Sequence, residues 1–122
     1  QNILNNESIE ISGGGTRSRD YTYVGDIVRA ILLALKKNTN YQVINIGNSK
    51  PISLKNLLSK VERATGKRAV VKTRPSAHAS VESTCADITK AKKILGWEPK
   101  VSMEDGLLKF VSWFKKERLN KK

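Results

Sequence analysis

The chain has 122 residues and a net charge of +12, from 23 basic and 11 acidic side chains. This length predicts one domain, and the absence of an apolar run of about 18 residues argues against a transmembrane helix. The single Cys85 excludes an intrachain disulfide and favours a reducing, cytoplasmic compartment. The positive charge favours an anionic partner, which nucleic acid, a membrane surface or an anionic substrate would each satisfy.

The first predicted elements flank a glycine-rich loop. Residues 1–6 fit the tail of a helix, and two isoleucines that alternate with polar residues then predict a short strand. Three glycines at 13–15 are followed by Arg17 and Arg19. Glycine lets backbone N–H groups approach a ligand closely, and arginine offers a planar fork of donors that suits phosphate. The loop therefore fits an anion site, and it fits equally well a turn with solvated arginines.

The next predicted element is a helix from Ile27 to about Lys37, which follows a short β-rich run at residues 21–24. Apolar residues occupy nearly every face of this helix, which predicts burial on more than one side. Asp26 directly precedes it, and we predict that this side chain caps the helix. Because so short a chain cannot cover the whole helix, we expect exposed apolar surface and self-association.

Two further strands enclose another predicted helix. Residues 41–46 and 69–73 read as strands from their β-branched content. Ser53 is placed to cap the helix between them, and Gly66 is placed to end it. The apolar residues of this helix recur at the spacing of one buried stripe: Leu54, Leu57, Leu58 and Val61.

The last two predicted helices are joined by a connector at residues 97–99. Asp87 caps the first of them, and Gly96 ends it. Residues 102–105 form a variant of the capping box at the start of the second. Its predicted inward stripe consists of Met103, Leu107, Phe110, Val111 and Phe114.

Four segments resemble, in order, motifs of one enzyme family: RSRDYTYVGDIVRAI, YQVINIGNSKPISLKNLL, STCADITKAKKILGWEPK and FVSWF. The first resembles the R-D-(Y/F)-x-(Y/H)-V-x-D-(I/V/L) signature of extended short-chain dehydrogenases that act on nucleotide sugars. Together they resemble the C-terminal part of a UDP-glucuronate or UDP-glucose 4-epimerase, over essentially the whole chain. The resemblance implies an α/β fold of short strands and about four helices, incomplete alone. Residues 1–122 would be the substrate-binding domain, and the N-terminal NAD-binding Rossmann domain would be missing.

The resemblance also implies a UDP site. Arg19 matches the family's arginine that contacts the diphosphate. Glu10, Ser12 and Gly13 match the strand edge that borders the uracil, although the family often has an aromatic residue in place of this serine. Asp20, next to the arginine, is expected to accept hydrogen bonds from loop amides.

The loop between residues 74 and 84 departs from the family pattern. The family has a diphosphate-binding arginine and a ribose-binding Gly-Asp pair shortly before its T-x-A-D motif, whereas Ala77 and Ser80 occupy the arginine and aspartate positions here. We assign the diphosphate contact to Arg74 and the ribose contact to Ser80, with Glu82 as an alternative. His78 has no acidic or cysteine partner at metal-ligand spacing, so we interpret it as a loop residue.

The family's catalytic and cofactor motifs are missing from the sequence. No tyrosine is followed by a lysine four positions later, and no G-x-x-G-x-x-G follows a strand. In the family that tyrosine takes a proton from the sugar 4-hydroxyl while hydride passes to NAD. We therefore expect an inactive fragment, with NAD bound only in the intact enzyme. Two alternatives stay open: a small basic nucleic-acid-binding module, and the equivalent part of a dehydratase or decarboxylase.

Overall fold

The computed structural model describes residues 1–38, 40–75 and 81–119. It confirms the α/β fold of short strands and helices that the family resemblance implies. The elements are α1 (Asn2–Asn5), β1 (Ser8–Ser12), a 3-10 helix (Gly13–Gly15), β2 (Ser18–Arg19), α2 (Val24–Leu35), β3 (Ile52–Ser53), α3 (Leu54–Thr65), β4 (Val70–Arg74), a π-helical turn (Ala91–Leu95), α4 (Met103–Phe114) and a second π-helical turn (Lys115–Leu119).

The strands form two small sheets of two strands each. β1 and β4 are parallel, with Ser12 opposite Arg74, so their carboxyl ends lie at the same edge. β2 and β3 are antiparallel, and Ser18 forms a further bridge to Ser83. The glycine-rich 3-10 helix packs against β4 and α3 and thereby connects the strand edge to the helices.

The core lies between α2 and the segment that follows residue 85. Its buried members are Ala30, Ile88, Ala91, Leu95 and Trp97. Trp97 is fully buried, and its indole N–H donates a hydrogen bond to the backbone oxygen of Asp26 over 3.0 Å. The sequence interpretation treated residue 97 only as part of a connector and missed its place at the centre of the core.

The predicted helix starts and stops are largely confirmed. The Ser53 hydroxyl accepts a hydrogen bond from Asn56 N–H over 3.2 Å, and Gly66 ends α3 with a φ of 74°. At the start of α4, the Ser102 hydroxyl accepts from Asp105 N–H over 3.0 Å and donates to the carboxylate of that residue over 2.7 Å. These signals operate within a single helical turn, so the sequence alone specifies them.

The start of α2 corrects two predictions. The helix begins at Val24, with Tyr23 as its N-cap residue, and not at Ile27. The β-rich run predicted at residues 21–24 is not a strand, since the strand in this region is β2. Asp26 therefore lies inside the first helical turn and is 2% exposed, so the prediction that it caps the helix is wrong.

The Asp26 carboxylate binds a distant loop in place of its own helix end. It accepts hydrogen bonds from the amides of Lys100 and Val101 over 3.1 and 2.9 Å, and it pairs with Arg29 over 3.0 Å. Arg29 also lies over the ring of Trp97, 5.6 Å from its centroid. This cluster fixes the segment after the core tryptophan to the first turn of α2.

The prediction of a strand at residues 41–46 is wrong. The segment forms no strand, although Ile44 and Ile46 pack against the core as alternate residues of a strand would. Tyr41 and Val43 are 91% and 64% exposed on the other side. A strand requires a hydrogen-bonded neighbour, and no described strand pairs with this segment.

α2 and α4 both leave apolar side chains in water. On α2 the exposed stripe consists of Val24, Val28, Ile31, Leu32 and Leu35, which are 48–78% exposed. On α4 Val111 is buried as predicted, but Phe110, predicted to face inward, is 54% exposed. Exposed apolar surface is thus confirmed, and self-association stays a prediction. No helix in the described ranges has the length and apolarity needed to span a membrane.

Candidate functional site

The candidate site lies at the carboxyl edge of the parallel β1–β4 pair. β1 ends at Ser12, β4 ends at Arg74, and these residues are opposite each other. The glycine-rich turn follows β1 directly at this edge. In open α/β sheets, ligands bind beyond the carboxyl ends of parallel strands, so this edge is where a ligand site is expected.

The geometry of the turn requires glycine. Gly13, Gly14 and Gly15 have φ angles of 60°, 66° and 73°, which residues other than glycine rarely adopt. A Cβ atom at Gly15 would also lie 3.2 Å from the backbone nitrogen of Lys55 and 3.3 Å from Ile11 Cγ2. The turn therefore brings the end of β1 so close to the first turn of α3 that a Cβ atom at Gly15 would require its neighbours to move by a few tenths of an ångström.

Arg19 is held at the junction of β2 with the segment after residue 81. Its Nη1 donates to the backbone oxygens of Ser18 over 2.7 Å and of Glu82 over 3.4 Å. The same junction is closed by backbone hydrogen bonds from Ser18 to Glu82 over 2.9 Å and from Thr84 to Ser18 over 3.3 Å. The half-buried guanidinium thus stands on backbone that is fixed from both sides.

Asp20 joins three loops behind this arginine. One carboxylate oxygen accepts from Asn48 N–H over 3.1 Å, and the other accepts from the amides of Ser49 and Ala86, each over 3.0 Å. Gly47 passes so close that a Cβ there would lie 2.7 Å from the carboxylate and 2.3 Å from the Ala86 side chain. The prediction that Asp20 accepts hydrogen bonds from loop amides is confirmed.

The structure brings together four of the predicted site residues at the carboxyl edge. The guanidinium of Arg74 and the carboxylate of Glu10 are 3.8 Å apart, with both side chains about two-thirds exposed. The Ser12 hydroxyl donates to the backbone oxygen of Pro75 over 3.2 Å, and Gly13 begins the turn. The ion pair was not foreseen, since only the parallel register places these two strands side by side.

Several predicted positions fall outside this arrangement. Arg19 is on β2, in the other sheet. Ser80, the proposed ribose contact, lies outside the described residues, as do Ala77 and His78. Glu82, the alternative ribose contact, is exposed, and its backbone oxygen accepts the hydrogen bonds from Ser18 and Arg19.

The glycine-rich turn does not have the form of a dinucleotide site. Such a site needs the turn to lead from a strand into the N-terminus of a helix, whose amides hold the pyrophosphate. Here Gly13–Gly15 leads into β2. Within the described ranges no group of three or more histidine, cysteine, aspartate or glutamate side chains could hold a metal ion. The edge therefore offers the guanidinium of Arg74 beside the glycine-rich turn, a set suited to an anionic ligand.

The comparisons with known proteins agree on one family. The family model of GDP-mannose 4,6 dehydratase matches residues 1–110. A UDP-glucuronate 4-epimerase of Thermodesulfobacterium geofontis is 43% identical over 114 residues, which cover 93% of this chain and 35% of that protein. The chain thus spans about a third of the length of this relative.

Two solved structures are likewise similar to nearly all of this chain, which matches only about a third of their own length. One is a UDP-glucose 4-epimerase of Thermotoga maritima with UDP-glucose, which has a TM-score of 0.87 and 41% identity and covers 94% of this chain and 37% of its own. The other is a UDP-glucuronic acid 4-epimerase of Bacillus cereus in complex with UDP-glucuronic acid and NAD. It has a TM-score of 0.87 and 34% identity, with the same two coverages of 94% and 37%.

Proposed function

Because the chain belongs to the GDP-mannose 4,6 dehydratase family of extended short-chain dehydrogenases, we propose that it binds the UDP-sugar in an NAD-dependent nucleotide-sugar 4-epimerase. The substrate would be of the UDP-glucose or UDP-glucuronate type, as in the two epimerase structures. One observation carries the proposal: the parallel β1–β4 pair ends in a turn of three glycines with positive φ, with an arginine, Arg74, at the same edge. Residues 1–122 would be the substrate-binding domain.

Arg19 is the proposed contact for the diphosphate. The carbonyls of Ser18 and Glu82 orient its guanidinium, and β2 is fixed by hydrogen bonds on both sides. A planar fork of donors binds phosphate oxygens in a defined geometry, and a charge-assisted hydrogen bond contributes about 1.5–3 kcal/mol. Asp20 would act through this residue, because its carboxylate ties the backbone next to Arg19 to the segments at residues 48–49 and 86.

Arg74 is the proposed second diphosphate contact, and Glu10 holds it at the edge until the ligand arrives. Their ion pair is exposed and 3.8 Å long. Exposed pairs contribute about 0–1 kcal/mol, so a doubly charged diphosphate can compete for the arginine. Ser12 and Gly13 would border the uracil through the strand edge, and Ser80 would contact the ribose.

NAD and the catalytic groups belong to another part of the intact enzyme in this proposal. The glycine-rich turn leads into a strand, so this chain supplies no helix N-terminus for the pyrophosphate there. NAD, when bound, accepts and returns a hydride during epimerisation. The 122 residues alone are expected to be inactive. They would hold the nucleotide while catalytic groups from the rest of the enzyme act on the attached sugar.

The rest of such an enzyme would cover the exposed stripe of α2 and the segment at residues 41–46. The stripe is apolar along its length, and Tyr41 and Val43 extend the same kind of surface. Residues 41–46 alternate like a strand and lack a pairing partner among the described strands. A strand of an NAD-binding domain would complete the ladder and bury both surfaces.

The test is calorimetric titration of the chain with UDP. Arg19→Gln should weaken binding by about one to two orders of magnitude, as expected for loss of a charge-assisted contact. Arg118→Gln, which removes the same charge from the exposed turn after α4, should leave binding unchanged. If the native chain does not bind UDP at millimolar concentration even with the rest of an epimerase joined to it, the proposal is wrong.

A dehydratase of the same family is the second candidate, because the matching family model is described as GDP-mannose 4,6 dehydratase. In both enzymes Arg19 and Arg74 would bind the nucleotide in the same way. Product analysis of the intact enzyme separates them, since a dehydratase releases water from the sugar whereas an epimerase yields a product of unchanged mass.

A further inference from the structure

An apolar groove of about 790 Å³ runs between α3 and α4. Residues 21–24 also line it, and none of the arginines proposed for the nucleotide site is among its lining residues. The apolar side chains that line its helical walls are Leu57, Val61, Met103, Leu107, Phe110 and Trp113. The groove is thus a separate surface from the candidate nucleotide site.

The apolar side chains in the walls of the groove have the sequence spacing that suits packing against another helix. Leu57 and Val61 are four residues apart on α3, and Met103, Leu107 and Phe110 follow at four and three residues on α4. Rows of side chains at these spacings form ridges, and a third helix packs its own ridge between them. α3 and α4 have 12 residues each, so a matching occupant has about three turns.

The two aromatic side chains that α4 contributes to the groove are only half covered. Phe110 is 54% exposed and Trp113 is 49% exposed. Each is a large apolar side chain whose remaining surface would gain from burial, and contiguous apolar surface of this kind marks an interaction site. Among the residues that the structure describes, none covers these two rings fully, so the groove is a surface open to a partner.

Two observations identify the partner. The T. geofontis relative and both epimerase structures extend well beyond the matched region, because this chain covers 35–37% of their length. A second copy is disfavoured at low ionic strength, since each copy carries a net charge of +12 and like-charged copies then repel. We propose that the groove receives the apolar face of an α-helix from the part of the protein that these relatives have outside the matched third.

Hydroxyl-radical footprinting at low salt tests the proposal at single residues. The 122-residue chain is compared with a chimaera in which it replaces the matching third of the T. geofontis epimerase. Met103, which is the only methionine of the chain, Phe110 and Trp113 should each oxidise several-fold more slowly in the chimaera. Leu108 on the same helix is 55% exposed and outside the groove, so its rate reports on exposure elsewhere on α4.

A pair of variants gives the second measurement. Phe110→Ser should destabilise the chimaera more than it destabilises the 122-residue chain, whereas Leu108→Ser should show a smaller difference between the two. The proposal is wrong if the groove residues oxidise equally fast in both proteins, or if Phe110→Ser destabilises the chimaera no more than it destabilises the 122-residue chain. It is also wrong if the groove becomes protected in the chain alone as its concentration rises, since a second copy would then be the occupant.

Discussion

The buried carboxylate of Asp26 joins the first turn of α2 to the segment that follows Trp97. Burial raises its pKa, but the hydrogen bonds from the Val101 amide, from Arg29 and from the Lys100 amide outweigh this effect. The pKa of Asp26 therefore lies below its ordinary value of 3.8. A carboxylate whose pKa is lowered in the folded state stabilises that state only while it is ionised.

We predict that Asp26→Asn lowers the free energy of unfolding by about 1.5–3 kcal/mol at pH 7, because it removes a buried carboxylate that accepts hydrogen bonds from two amides and from the partly exposed Arg29. The contribution is fully present above the pKa of the unfolded chain, about 3.9, and is lost as the pH falls through the lower pKa of the folded state. The difference between native and variant chains should therefore shrink below about pH 4. Urea unfolding at pH 7 and at pH 3 measures it.

Asp87→Asn is the matched control for this experiment. The pKa of Asp87 is also lowered, by hydrogen bonds from the Thr89 hydroxyl and amide, but the carboxylate is exposed to solvent. We expect a much smaller effect at pH 7 than for Asp26→Asn. Equal effects of the two substitutions would show that burial and the pair with Arg29 do not set the importance of Asp26.

The roles of Asp20 and Asp26 differed in how far the sequence could predict them. Asp20 belongs to a motif whose family role, holding loop amides, carries over directly, and its three amide partners confirm it. Asp26 stands before an apolar run, which is the position of a helix cap. Its two amide partners, Lys100 and Val101, lie in a distant loop, and no local pattern indicates them.

Among the elements, the glycine turn between β1 and β2 offers a matched pair of positions. Gly14 and Gly15 both have positive φ, but a Cβ at Gly14 meets nothing within 4 Å, whereas one at Gly15 meets Lys55 and Ile11. We predict that Gly14→Ala costs about 1–2 kcal/mol from backbone strain alone. Gly15→Ala should cost a further 1–3 kcal/mol or so, because the added methyl overpacks the turn against α3.

Chemical unfolding measures the difference in stability between the two variants. UDP titration shows whether the change in the turn also affects the candidate nucleotide site. If the turn positions the edge for a ligand, Gly15→Ala should weaken UDP binding more than Gly14→Ala does. Equal stability of the two variants would mean that the close approach to Lys55 is relieved by a small shift of α3.

The elements that the sequence predicted well are those with local signals. Ser53, Gly66 and Ser102 each act within a turn of their own helix, and their geometry follows from residue type. The segment at residues 41–46 has the composition of a strand but no partner among the described strands. Strand formation depends on a neighbour, so composition alone could not decide it.

For the whole molecule, the parallel pairing of β1 with β4 assembles the candidate site. Glu10 and Arg74 are far apart in the sequence, and the resemblance assigned them to one ligand without placing them in contact. The register puts both strands' carboxyl ends at one edge and forms the ion pair there. The motifs were thus enough to assign Glu10 and Arg74 to the ligand, whereas the contact between the two side chains could be seen only in the folded structure.

The whole chain combines a net charge of +12 with an apolar stripe on α2, and these features oppose each other in self-association. At low ionic strength repulsion keeps copies apart, whereas at physiological strength salt screens the charges beyond roughly 8 Å. We predict that the isolated chain self-associates as salt rises. Nucleic-acid binding by a basic module would respond in the opposite way, since it weakens with salt.

Sedimentation velocity over a range of salt and protein concentrations measures this prediction. Ile31→Ser and Leu35→Ser, both within the exposed stripe, should reduce the mass increase, whereas Leu108→Ser on α4 should leave it largely unchanged. A monodisperse monomer at high salt and high concentration would contradict the prediction. Loss of the association when the rest of an epimerase is joined to the chain would indicate that the stripe is an internal surface of the larger enzyme, because the added domain then covers the same side chains.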